Sequence, residues 1–203
     1  MLRQVRQGAP ADLFASASAQ EIDTLASAGL LAEKTRTPFA SNLLVLIVPV
    51  KRGFPSVSRW EDLKTAQVTK VALSNPKTVP SGRYAREVLT KKGLWEEVEK
   101  KAIFGENVRQ VLNYVAQGNI GAGIVFASDV QKESRRVRVV LKAESGKDHT
   151  PITYTIALLK RSTQSVLGGQ FIAFLKSKTA QDILRKHGFL ALKSPSISQK
   201  RHP

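Results

Sequence analysis

The 203-residue chain has no cysteine, one methionine and three histidines, and aromatic residues make up only 6% of it. Without cysteine there are no disulfides, no thiolate zinc or iron–sulfur ligation and no cysteine nucleophile. His149, His187 and His202 are scattered, with no two at metal-ligand spacing, so neither a histidine metal site nor a Ser-His-Asp triad is expected. Long apolar runs are missing too. The longest, over 43–50, is interrupted by Pro49 and is less than half of the roughly 20 residues a membrane-spanning helix needs. The opening MLRQVRQG is basic, but no apolar stretch with a small-residue cleavage site follows it, so no signal peptide is read in the chain as written. There is no Gly-rich phosphate loop ending in Gly-Lys-Ser/Thr, no GxGxxG, no GxSxG and no His-Glu-x-x-His. The acid pair Glu61-Asp62 falls in a helix's first turn, where the dipole favours carboxylates, and reads as a cap. No enzyme activity and no cofactor are expected.

Acidic residues are also scarce: 16 Asp and Glu stand against 32 Lys and Arg, a formal charge of +16. The cations are spread along the chain, as in Lys91-Lys92, Lys100-Lys101, Arg135-Arg136 and Arg185-Lys186, and are not gathered in a stripe with aromatics between them. They read as solvated helix faces that steer anions, and a nucleic-acid partner is not expected. What the chain does have is apolar content, 42%, too high and too evenly spread for a disordered protein. One large domain or two small ones follow from the length.

Short apolar runs alternate with helical patterns. The spacing predicts a strand over 11–15 and a helix over 19–28 stopped by Gly29. The fully apolar 43–48 reads as a strand buried on both faces of a mostly parallel sheet, ended by Pro49. Ser58-Arg59-Trp60-Glu61 reads as a capping box for a short helix through Leu63, followed by a strand over 68–73. Tyr84, Val88 and Leu89 mark a helix from near Ser81 to Gly93, and 102–104 is a short strand. Asn107 is the expected cap of a helix lined by Val108, Val111, Leu112 and Val115 and stopped at Gly118. Strands over 121–126, 137–141 and 153–159 and helices over 165–175 and 179–187 complete an α/β pattern, and 191–203 reads as a polar tail.

Two strand-to-helix junctions stand out as places where unpaired N–H groups could meet an anion. In Val79-Pro80-Ser81-Gly82, proline and glycine fix a tight helix entry with small side chains. Gly105-Glu106-Asn107-Val108-Arg109 offers a second, with a free amide at Val108. Every α/β protein has such junctions, so each alone is more readily read as purely structural.

The strings Gly8-Ala9-Pro10-Ala11-Asp12-Leu13-Phe14, Ser41-Asn42-Leu43-Leu44-Val45-Leu46 and Asn75-Pro76 through Val79-Pro80-Ser81-Gly82 to Tyr84-Ala85 accumulate in order. Glu106-Asn107-Val108-Arg109, Gly123-Ile124-Val125-Phe126-Ala127-Ser128-Asp129 and Gly188-Phe189 follow in the same order. Together they resemble the molybdate-binding proteins of ABC transporters, over about residues 4–189. The resemblance implies a two-lobe, type II periplasmic-binding-protein fold, α/β in each lobe, with an oxyanion in the cleft and chain crossings near Leu46 and Thr155. The implied lobes are 1–46 with 156–190, and 47–155. It implies a molybdate or tungstate ligand held by uncharged donors. The matching positions are the backbone amides of Ser81 and Val108 and, where Phe126 stands, a tyrosine hydroxyl. No other metal is implied. Implied partners are the membrane permease subunits of an importer, implied location is periplasmic or extracytoplasmic, and the chain is expected to act as a monomer.

Against that family two features are expected to be missing: the first strand and helix of the first lobe, with their two ligand-binding serines, and the hydroxyl at Phe126. At about 1.5 kcal/mol for each hydrogen bond, four losses would cost roughly four orders of magnitude in affinity. The alternative expectation is therefore a truncated homologue with weak or no oxyanion binding that serves as a docking module. A basic nucleic-acid binder ranks below both.

Overall fold

The computed structural model describes residues 1–51 and 53–192; the expected polar tail lies, from residue 193 on, outside the described residues. In chain order the first elements are α1 (Leu2–Arg6), β1 (Leu13–Ser16), α2 (Ala19–Ser27), β2 (Thr37–Ser41) and β3 (Leu44–Pro49). After a 3-10 turn at Trp60–Lys64 come β4 (Val71–Ser74), α3 (Pro80–Lys91), α4 (Trp95–Glu99), β5 (Ala102–Gly105) and α5 (Val108–Ala116). β6 (Ala122–Phe126), α6 (Ala127–Val130), a 3-10 turn at Gln131–Glu133, β7 (Val137–Lys142), β8 (Thr153–Leu158), α7 (Ser165–Leu175) and α8 (Lys178–Lys186) follow.

The chain divides into two bodies. The first comprises Met1–Ser41, Thr153–Arg185 and the described residues from Leu190 on, and the second Asn42–Ile152 with Lys186–Phe189. Leu46 and Thr155, where the crossings are expected, therefore each lie within a strand that belongs whole to one body. The division between the bodies falls between Ser41 and Asn42, between Ile152 and Thr153, and on either side of Lys186–Phe189.

In the first body the sheet order is β1-β8-β2, and both pairings are antiparallel, with Phe14 opposite Ala157 and Thr37 opposite Ile156. The ladder of β2 slips between Pro38 and Ala40, where proline has no N–H to give. Phe14, Ile22, Leu25 and Leu159 form its core with Val5 of α1.

In the second body the order is β5-β4-β6-β3-β7. β4 runs parallel to both β5 and β6, whereas β3 is antiparallel to β6 and β7. The expectation of largely parallel sheets is thus corrected in both bodies. β3 is buried at every residue, as its composition predicts, yet it is antiparallel to both neighbours. Burial on both faces comes from the helices and not from strand direction. Val45 and Ile47 pack with Val111, Leu112 and Val115 of α5, while alternate residues of the strand face the other way.

Local corrections follow the same logic. The cap of the 3-10 turn is made by Asp62, not Glu61: its carboxylate accepts the N–H groups of Ser58 (2.8 Å) and Arg59 (3.1 Å). These backbone bonds, with the Arg59 side chain, bring its pKa down to about 2. The strand predicted over 68–73 begins only at Val71, because the Val68 carbonyl is taken by the Lys101 ammonium at 2.7 Å. Helix α4, unexpected from the sequence, has only Val98 buried and so carries no readable stripe.

Candidate functional site

β5, β4 and β6 are neighbours, mutually parallel, and end within one residue of each other. Ser74 is level with Gly105, and Ala72 with Gly123, so the last residues of all three strands lie along one carboxyl edge. In open α/β sheets this edge is where helix N-termini present unpaired donors. Each of the three positions marked in the sequence arrives there: Ser81 in the helix after β4, Val108 at the start of the helix after β5, and Phe126 as the last residue of β6.

Pro80 opens α3 with its φ already suited to a helix, and Ser81 follows at the second helical position. Ser81 is 1% exposed and its Oγ donates to Ser74 Oγ at 2.8 Å, tying the helix to the end of β4. Gly82 makes that approach feasible. A Cβ there would lie 2.3 Å from the Ser74 carbonyl oxygen. The Gly82 and Arg83 N–H groups close the first turn on the Val79 carbonyl (3.1 and 3.2 Å). Among the described residues the Ser81 N–H has no hydrogen-bond partner.

The start of α5 is built differently. Asn107 Oδ1 accepts from the Gln110 N–H at 2.9 Å, and Gln110 Oε1 reaches back to accept the Glu106 N–H at 2.8 Å. This reciprocal cap leaves the Val108 N–H, at the first helical position, without a partner among the described residues. Close packing of α5 on the sheet depends on Gly123, whose Cβ would lie 2.8 Å from a Val115 methyl.

Phe126 is 6% exposed and meets the Tyr84 ring edge-on, centroids 6.3 Å apart. Tyr84 in turn meets His149 at 5.6 Å. Ser74, Tyr84 and His149 were not among the residues the sequence marked for the site. Ser74 could have been found as the small polar residue ending an apolar strand. His149 lies in the polar string Gly146-Lys147-Asp148-His149-Thr150 and gives no sign of being wholly buried.

Beside the end of β6 stands Asp129, a half-buried residue with one carboxylate oxygen shut off from solvent. Burial holds its carboxyl above the usual range, against the opposing pull of Lys132 and Arg109, and its Oδ2 is buried with no hydrogen-bond partner among the described residues. A carboxyl raised in the folded state favours folding at acid pH, and that advantage is lost as pH rises through the folded pKa. Asp129→Asn should therefore raise the melting temperature at pH 7, with the gap to the parent narrowing as the pH is lowered to 4. A gap that widens toward acid would contradict this account.

The chain has clear kin. The profile of the bacterial extracellular solute-binding protein family matches residues 1–190. YvgL of Bacillus subtilis strain 168, which carries the name of an ABC transporter substrate-binding lipoprotein, is 38% identical over 189 residues, covering 93% of this chain and 71% of its own length. The molybdate-binding protein ModA of Haemophilus influenzae is 33% identical over 195 residues, covering 94% of this chain and 75% of its own. Among solved structures, the periplasmic molybdate-binding protein of Azotobacter vinelandii shares the fold, with a TM-score of 0.81 at 21% identity over 95% of this chain and 83% of that one.

Proposed function

Because this chain belongs to the bacterial extracellular solute-binding protein family, we propose that it is the substrate-binding component of an ABC importer for molybdate or tungstate. The oxyanion is held by hydrogen bonds from the Ser81 and Val108 backbone amides, with the Phe126 ring beside them in place of a third donor. The loaded protein acts as a monomer outside the cytoplasm and hands its ligand to the membrane permease. It catalyses no reaction.

The observation that supports this most is the meeting of two helix N-termini, each with an unpartnered N–H, on the edge of three adjacent parallel strands. Donors of this kind suit a doubly charged tetrahedral anion. They concentrate partial positive charge through the helix dipoles without a lysine or arginine, so charge is stabilised without a counter-ion. Kinship to molybdate-binding proteins supports the same ligand class.

Thermal unfolding of the chain tests it. At a ligand concentration of about 100 Kd, binding adds roughly 2.7 kcal/mol to stability. For a protein of this size that is a rise of about 5–10 °C in melting temperature with molybdate or tungstate. If neither ion nor sulfate moves the transition at millimolar concentration, the assignment fails.

A further inference from the structure

Four consecutive residues, Lys147 to Thr150, are each tied to helix α3 or to Lys92, the residue that caps it. The Lys147 carbonyl accepts from Lys91 Nζ at 3.0 Å, and Asp148 pairs with Lys92 at 2.8 Å with both side chains mostly buried. His149 lays its ring against Tyr84, and Thr150 gives its N–H and its hydroxyl to the Glu87 carboxylate at 2.8 and 3.0 Å. The ties run from the C-terminal end of the helix to the turn that follows Ser81. The segment is itself preformed: Gly146, with φ +85°, closes a turn in which its N–H donates to the His149 carbonyl at 2.8 Å and the Asp148 N–H donates to the Glu144 carbonyl at 2.8 Å.

We propose that this segment is a strap that sets the orientation of α3, and that His149 is the positioning residue through which it fixes the helix's first turn for the anion. The inference rests on the oxyanion assignment above for its functional meaning, though not for its geometry.

His149 has no exposed surface. Its Nδ1 lies 2.6 Å from the Thr150 carbonyl oxygen, a contact that is favourable only with the proton on Nδ1. Nε2 is buried and has no hydrogen-bond partner among the described residues. The ring edge at Tyr84 is therefore the means by which His149 reaches α3. Tyr84 stands three residues after Ser81, on the same side of the helix, and its ring also meets Phe126. One aromatic side chain thus links the strap to two of the three site positions.

Two substitutions separate the ring from the hydrogen bond. His149→Asn keeps a donor toward Thr150 and removes the ring; His149→Phe keeps a ring against Tyr84 and removes both nitrogens. Hydrogen exchange of the Gly82 and Arg83 amides, followed by NMR on the ligand-free full chain, reports the first turn of α3. Calorimetry with molybdate reports binding.

In His149→Asn exchange should speed up about tenfold and molybdate affinity fall about tenfold, while His149→Phe stays close to the parent in both. Unchanged exchange in folded His149→Asn, or equal acceleration in His149→Phe, overturns the proposal. Should His149→Asn fail to fold, Lys92→Met cuts the far end of the strap without touching the ring pair, and unchanged Gly82 and Arg83 exchange there overturns it equally. If exchange responds as expected but the parent chain binds neither molybdate nor tungstate, the strap stands and the oxyanion assignment is what fails.

Discussion

Replacing Gly82 by alanine should lower the melting temperature by roughly 6–12 °C and remove the molybdate binding proposed above. The added Cβ would sit 2.3 Å from the Ser74 carbonyl oxygen and 2.8 Å from the backbone carbon of Asn75. Both obstacles are main chain, so no side-chain rotation relieves them. Overpacking of this kind costs about 3 kcal/mol, and each kcal/mol shifts the transition of a chain this long by about 2–4 °C. The alternative to unfolding is for the first turn of α3 to back away from β4. That motion would pull Ser81 Oγ off Ser74 Oγ and carry the Ser81 amide with it. Gly169→Ala is the control. Gly169 lies in α7 with nothing near its Cβ position, and alanine there should be neutral or stabilise the helix by up to about 1 kcal/mol. Differential scanning calorimetry on both variants checks the pair; an unshifted Gly82→Ala transition would refute the close-contact account.

With the proposed oxyanion site, Phe126→Tyr should tighten molybdate binding by about 10–100-fold. One hydrogen bond to a charged partner contributes about 1.5–3 kcal/mol, and each 1.4 kcal/mol is a factor of ten in Kd. Phe126 is the last residue of β6, on the edge it shares with Ser74 and Gly105, and its ring is already set by the edge-on contact with Tyr84. The substitution adds one oxygen to a ring whose position is fixed, so little conformational freedom is lost in using it. Titration calorimetry of parent and variant measures the change directly. An unchanged or weaker Kd means that the Phe126 ring does not point at the anion, and would remove it from the site.

The residues that build the site were more legible than the sheet that carries it. Asn107 announces a cap because its short side chain competes for backbone N–H groups, and it does accept from Gln110. Pro80 and Gly82 announce a tight entry for backbone reasons, local to four residues. Strand direction is not local. The apolar run of β3 looks alike in a parallel and an antiparallel sheet once helices cover both faces, and its antiparallel partners in β6 and β7 lie 76 to 97 residues away. The contact of His149 with Tyr84 joins residues 65 apart through a segment whose neighbours are Lys147, Asp148 and Thr150, so polar composition concealed a buried ring. Of the acid pair Glu61-Asp62 it is Asp62 that caps, because the box starts at Arg59, one residue later than serine's preference for the cap position suggests.

The bond from Ser81 Oγ to Ser74 Oγ turns the one hydroxyl in the first turn of α3 inward. With the Ser81 hydroxyl proton so engaged, the donors that the first turns of α3 and α5 offer an anion in the proposed site are the backbone N–H groups of Ser81 and Val108. A backbone amide does not titrate near neutrality, so changes in acidity would act on such a complex through the anion's own protonation. An oxyanion that still carries a proton would arrive with a donor facing donors, leaving that proton unsatisfied. Selection between ions of nearly equal size would then follow their acidity more than their radius.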